Sequence, residues 1–143
     1  MQVYLSQKMS ATLKIFALRL HPGNDLKKSI IDFVAAQNIK AGCIITAVGS
    51  LTSCCLRYVG QSTGTTIHQK FEILSLSGTL STQGVHLHIA LADSTGKTIG
   101  GHLLDGNIIY TTAEIIIGEN TEMLFKRVAD IETGYTELVI ENL

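Results

Sequence analysis

Three of the five histidines fall within seventeen residues: His86, His88 and His102. A neutral imidazole offers a ring-nitrogen lone pair, so such a cluster is first of all a binding set for a divalent metal ion. The segment Val85–Ala92 alternates cleanly. Val85, Leu87, Ile89 and Leu91 form one series, and His86, His88, Ala90 and Ala92 the other. On a strand, residues two apart share a face and stand roughly 7 Å apart, so both rings can converge on one ion. Turn chemistry places the third ring. Asp93-Ser94-Thr95-Gly96-Lys97 reads as a three-residue hairpin loop with Gly96 in the left-handed position. Asp93 then faces Lys97, paired positions sum to 190, and His102 stands opposite His88. A loop one residue longer would send His102 to the other face. Gly100 and Gly101 open room beside the site or permit close backbone approach.

Three imidazoles suit zinc or a similar late divalent ion. Three protein ligands leave a coordination position for water or a small molecule, unlike a closed structural site. Two carboxylates are candidates for catalytic support. Glu72 lies in Phe71-Glu72-Ile73-Leu74 and Glu114 in Ala113-Glu114-Ile115-Ile116-Ile117, where a buried bare charge would be costly. Either can ligate the ion, orient a histidine or shuttle a proton. The alternative is an outward-facing residue on a half-exposed strand. Asp105-Gly106 reads as a hairpin turn, and His21 and His68 as surface residues.

The elements that must carry these residues follow from periodicity. Leu26, Ile30, Phe33 and Val34 recur at helical spacing after a Pro22-Gly23 turn, predicting a helix over about 25–37. Asn24 or Asp25 can cap its start, and Asn38 can take the left-handed position at its end. Runs 13–20, 42–48, 51–59, 66–80 (bent at Ser77-Gly78), 85–92, 98–104, 108–117 and 135–140 read as strands. Residues 121–128 fit a strand or a short helix. Short turns between strands favour antiparallel pairing, with the one clear helix packed on the sheet. The expected class is α+β, in a single domain spanning 1–143.

Composition narrows the function classes. The chain has 143 residues, 45% hydrophobic and 16% charged, with 11 basic and 12 acidic side chains. That excludes a largely disordered chain and gives no basic excess for phosphate contacts. No run of 18 apolar residues predicts a membrane span. Met1–Ser10 alternates polar and apolar residues and lacks the pattern of a signal peptide. Cys43, Cys54 and Cys55 form no CxxC pair and read as small apolar residues in a reducing compartment. The expected location is therefore cytoplasmic. So low a charged fraction also favours covering part of the surface with further copies of the chain.

Longer stretches resemble a known family. Phe71–Thr79, His86–Asp93, Gly100–Leu104 and Thr112–Glu114 are similar to signatures of the PPC (plants-and-prokaryotes-conserved) domain. Ala47–Leu51 and Thr133–Leu138 also look like it, so the resemblance runs from about Phe16 to Leu138. It implies an antiparallel α+β fold, a homotrimer, and a metal held by His86, His88 and His102. In plants this domain follows AT-hook DNA-binding motifs, so DNA is a partner that the resemblance suggests and the net charge of −1 does not support. A more distant similarity to acetolactate decarboxylase, which holds zinc through an HxH pair and a later histidine, implies a Lewis-acid role. The leading expectation is a trimeric metal-binding domain for a small-molecule ligand, with lyase or hydrolase chemistry if it is an enzyme. The alternative is a DNA-binding or regulatory protein using the domain for oligomerisation.

Overall fold

A computed structural model describes residues 12–143. The opening stretch Met1–Ser10, read above for the absence of a leader, lies outside the described residues. The elements are β1 (Leu13–Leu20), α1 (Leu26–Ala36), β2 (Gly42–Arg57), β3 (Thr65–Ile67), β4 (Phe71–Ser81), β5 (Gly84–Ala92), β6 (Thr98–Leu103), β7 (Ile108–Asn120), β8 (Met123–Ala129) and β9 (Thr136–Asn142). Seven strands form one sheet in the order β1-β7-β2-β4-β5-β6, with β3 beside β2, and every pairing is antiparallel. β8 and β9 form a separate two-stranded sheet. The α+β class is therefore as the periodicity predicted. Among the described residues, no helix is long and apolar enough to cross a membrane.

The sheet curls back on itself. The first part of β2 pairs with β4, while its last residues pair with β6: Leu56 opposite Leu103 and Arg57 opposite His102. The closed side buries Leu51, Leu56, Leu91, Leu103 and Ile115, all at 0% exposure. The helix completes this core with Leu26 and Ile30, also at 0%. Its N-cap is Asp25, whose carboxylate accepts the Lys28 N–H at 3.2 Å. Asn38 takes φ 51°, which closes the helix as its position suggested.

Three expectations about elements need correction. Residues 42–48 and 51–59 are one continuous strand: Gly49, at φ 151°, approaches the Thr112 carbonyl closely, and a β-bulge absorbs the irregularity. Conversely, 66–80 is broken before Phe71, and Gly78 stays within β4 pressed against the His86 carbonyl, where no Cβ fits. Asp105-Gly106 is not a hairpin turn, because β6 and β7 are not neighbours in the sheet. It belongs to a crossing loop organised by Asn107, which is fully buried. The Asn107 amide donates to the Cys55 and Leu104 carbonyls at 3.0 and 2.7 Å and accepts the Cys55 N–H at 3.1 Å. The segment 121–128 resolves as strand, in β8.

Candidate metal centre

The β5–β6 turn decides the site. The Asp93 N–H donates to the Lys97 carbonyl, the Gly96 N–H donates to the Asp93 carbonyl, and Gly96 takes φ 83°. The Asp93 carboxylate also accepts the Thr95 and Lys97 N–H groups, at 2.8 and 3.0 Å, which fixes the loop length. Ala92 therefore pairs with Thr98, and His88 with His102. Three rings meet on one face, with centroids 4.9, 5.2 and 5.5 Å apart. Their ligand nitrogens all lie within 4.8 Å of one another, and Nε2 of His86 is 3.2 Å from Nε2 of His88.

The surroundings favour the uncharged form of His86 and His102. Burial, and then the Arg57 guanidinium, push His102 down from 6.5 to about 4. His86 is also lowered, by burial first and then by His88 and Arg127. At neutral pH both rings are free bases with lone pairs to give. Tetrahedral zinc with Zn–N bonds near 2.05 Å needs ligand nitrogens roughly 3.3 Å apart. The His86–His88 separation fits that, and His102 completes the donor set from the neighbouring strand.

The trio lines an open cleft of about 990 Å³, which also takes in Arg57, Arg127, Tyr135 and Glu137. Glu72 and Glu114 do not line it. Glu72 pairs with Ala92, four residues along β5 from His88, which is about 13 Å. Glu114 is on β7, three strand spacings from β5, or roughly 14 Å. Both side chains are exposed, so their apolar neighbours reflect ordinary alternation across a sheet rather than a buried charge. The carboxylate that does face the cleft is Glu137 on β9. Sequence reasoning also passed over Arg57 and Arg127. A signal was present: the chain has three arginines, and these are two of them.

Fold and site together define a class: an antiparallel α+β domain carrying a three-imidazole set on the solvent side of its sheet. The chain belongs to the Plants and Prokaryotes Conserved (PCC) domain family, whose model matches residues 7–121. It is 46% identical over 134 residues to the bifunctional protein GlmU of a Synechococcus strain, covering 94% of this chain but only 22% of that protein. It is 31% identical over 110 residues to AT-hook motif nuclear-localized protein 2 of Arabidopsis thaliana, of which it spans 33%. A solved hypothetical protein from Salmonella superposes with a TM-score of 0.91 at 38% identity, covering 95% of this chain and 99% of that one. A metal-containing protein from Archaeoglobus fulgidus does so with a TM-score of 0.80 at 28% identity, covering 97% and 99%.

Proposed function

We propose that this chain is a homotrimeric metal-binding protein whose His86, His88 and His102 hold one divalent ion, zinc by donor chemistry, with an open position for a small-molecule ligand. The observation that carries this reading is the convergence of three ring nitrogens within 4.8 Å on a solvent-facing sheet surface. The likeness to a protein described as metal-containing supports it. Once bound, the ion supplies Lewis-acid polarisation of a ligand oxygen. The chain's own residues hold the ion and shape the cleft around it.

The trimer is supported by the sheet's outer face. Leu13, Ile15, Ile45 and Val48 stand there at 54, 56, 49 and 53% exposure. Such a patch marks an interaction surface. Register ties it to the site, because directly opposed residues share a face. Ile15, Gly118, Cys43, Thr79 and His86 form one row across β1, β7, β2, β4 and β5. A copy docked on the apolar end of this row abuts the histidines, so the cleft is framed by a neighbour.

The likeness to an AT-hook protein lies in the domain that the two share. These 143 residues hold no Arg-Gly-Arg-Pro core and no basic excess, which favours the small-molecule reading over DNA.

Elemental analysis of protein prepared without a histidine tag tests the metal. About one divalent ion per chain is expected, and none in His88→Ala, whose loss of a direct ligand exceeds the roughly 10–100-fold weakening seen when a group that only orients a ligand is removed. Metal content unchanged in that variant sinks the site. Light scattering coupled to size exclusion should read roughly 46 kDa, three chains of 15.4 kDa. A single-chain mass at micromolar concentration sinks the trimer.

A further inference from the structure

An arginine stands at each end of the histidine set. Arg57 lies directly opposite His102 across β2 and β6. Thr79 lies directly opposite His86 across β4 and β5, and its hydroxyl oxygen accepts a 2.6 Å hydrogen bond from Nη2 of Arg127. His88, paired with His102, stands between them. The two anchors are independent, one in the main sheet and one on the β8–β9 hairpin. Both arginines are half-buried and line the same cleft as the trio.

Among the described residues, no carboxylate oxygen lies within 4 Å of either guanidinium. Arg127 spends one donor on Thr79, and Arg57 packs 5.8 Å from the centre of the Tyr135 ring, a contact that orients the plane without using its N–H groups. A guanidinium carries five N–H donors in a fixed fork matched to carboxylate geometry. Among the described residues, one of these donors, on Arg127, has a hydrogen-bond acceptor, and both arginines line the cleft. Glu137 is, among the described residues, the single acidic side chain lining it, and its Oε1 accepts from the Thr133 hydroxyl at 2.9 Å. A divalent ion on the trio would add two more positive charges. Partly desolvated cations in such excess call for an anionic occupant. The cleft volume is that of a metabolite site.

We propose that Arg57 and Arg127 form an oxyanion clamp flanking the histidines, and that the natural ligand is a small organic acid whose carboxylate is held by these guanidiniums. The proposal deepens the metal reading for the same cleft, but the clamp itself consists of protein side chains and binds with or without the ion. The ligand's anionic group docks on the arginines, and an ion held by His86, His88 and His102 would supply Lewis-acid chemistry to a neighbouring ligand oxygen. Selection against neutral ligands then comes from the clamp, and the hairpin contributes half of it.

Calorimetric titration of the full chain, with and without added zinc, tests this. The probes are succinate, its uncharged counterpart succinamide, and inorganic phosphate. Succinate should bind saturably and succinamide should not. Arg57→Gln and Arg127→Gln should each weaken succinate at least about tenfold, the loss of one charge-assisted contact. Their circular dichroism and their zinc stoichiometry at saturating metal should be unchanged, so a binding defect is not a folding defect. Equal binding of succinate and succinamide, or succinate binding indifferent to both substitutions, overturns the clamp. Phosphate bound through the arginines while succinate is not overturns the carboxylate assignment. Arginine-dependent succinate binding by protein that takes up no zinc sustains the clamp and removes the metal. Zinc uptake without such binding removes the clamp alone.

Discussion

The seven-stranded sheet and the β8–β9 hairpin are built on different terms. The sheet closes around a dry core in which Leu51, Leu56, Leu91, Leu103 and Ile115 reach 0% exposure. The hairpin contributes no residue to that core. Its Val128, Val139 and Ile140 are 47, 39 and 56% exposed. Two hydrogen bonds tie it down, the Phe125 N–H on the Lys40 carbonyl at 2.9 Å and Arg127 on Thr79, and Arg57 packs on its Tyr135 ring. The family match ends at residue 121, two residues before the hairpin begins. The division of labour follows. The closed sheet holds the three histidines in a register that packing will not let slip, and the hairpin lends Arg127, Tyr135 and Glu137 to the cleft without carrying the fold.

The sharpest way to break this contrast is to remove comparable apolar bulk from each region. Leu91→Ala empties a fully buried position and should cost about 2–5 kcal/mol. Ile140→Ala, at a position 56% exposed, should stay within about 0.5 kcal/mol. Denaturant midpoints at constant slope measure both. Similar losses would mean that the hairpin is part of the cooperative core. The next effect belongs to the loop that turns the chain from β6 into β7. Asn107→Ala strips partners from two carbonyls and one N–H in a site without solvent access, which should cost about 1–3 kcal/mol. Stability equal to the wild type would show that water replaces the amide there.

Much of the sheet was legible because burial writes itself into alternation. His86, His88, Ala90 and Ala92 could be assigned to one face from sequence alone. A single glycine, Gly96, then sufficed to bring His102 opposite His88, since loop length fixes register. Long-range closure was not legible. Nothing local to Arg57 says that the end of β2 bends round to meet β6, so its place opposite His102 emerges only from topology. Asn107 was hidden for a similar reason: an Asp-Gly pair between two strands reads as a hairpin unless their spatial order is known. Glu72 and Glu114 left two readings open, and their exposure matches the outward-facing one. Apolar sequence neighbours on a strand face away from the residue between them, and so say little about its own burial.

The smallest predicted effect probes the seam between the two regions, where the histidines sit. His102 is held down to about 4 by burial first and by Arg57 of the sheet second. His86 is lowered by burial, then by His88, and then by Arg127 of the hairpin. An unfolded histidine takes its proton near 6.5, whereas folded His102 refuses it until about pH 4. Between those values the unfolded state binds more protons, so stability falls as pH drops through this window and is flat above it. A group whose value was raised on folding would instead lose its contribution as pH rose. Zinc should deepen the acid-side loss, because protons compete with the ion for the same ring nitrogens. Proton NMR titration of the metal-free chain resolves the two regions separately. Arg57→Gln should move the His102 midpoint upward, while Arg127→Gln should raise His86 and leave His102 in place. If Arg127→Gln shifted neither ring, Arg127 would be electrostatically remote from the histidines, and the hairpin's influence on them would rest on Glu137.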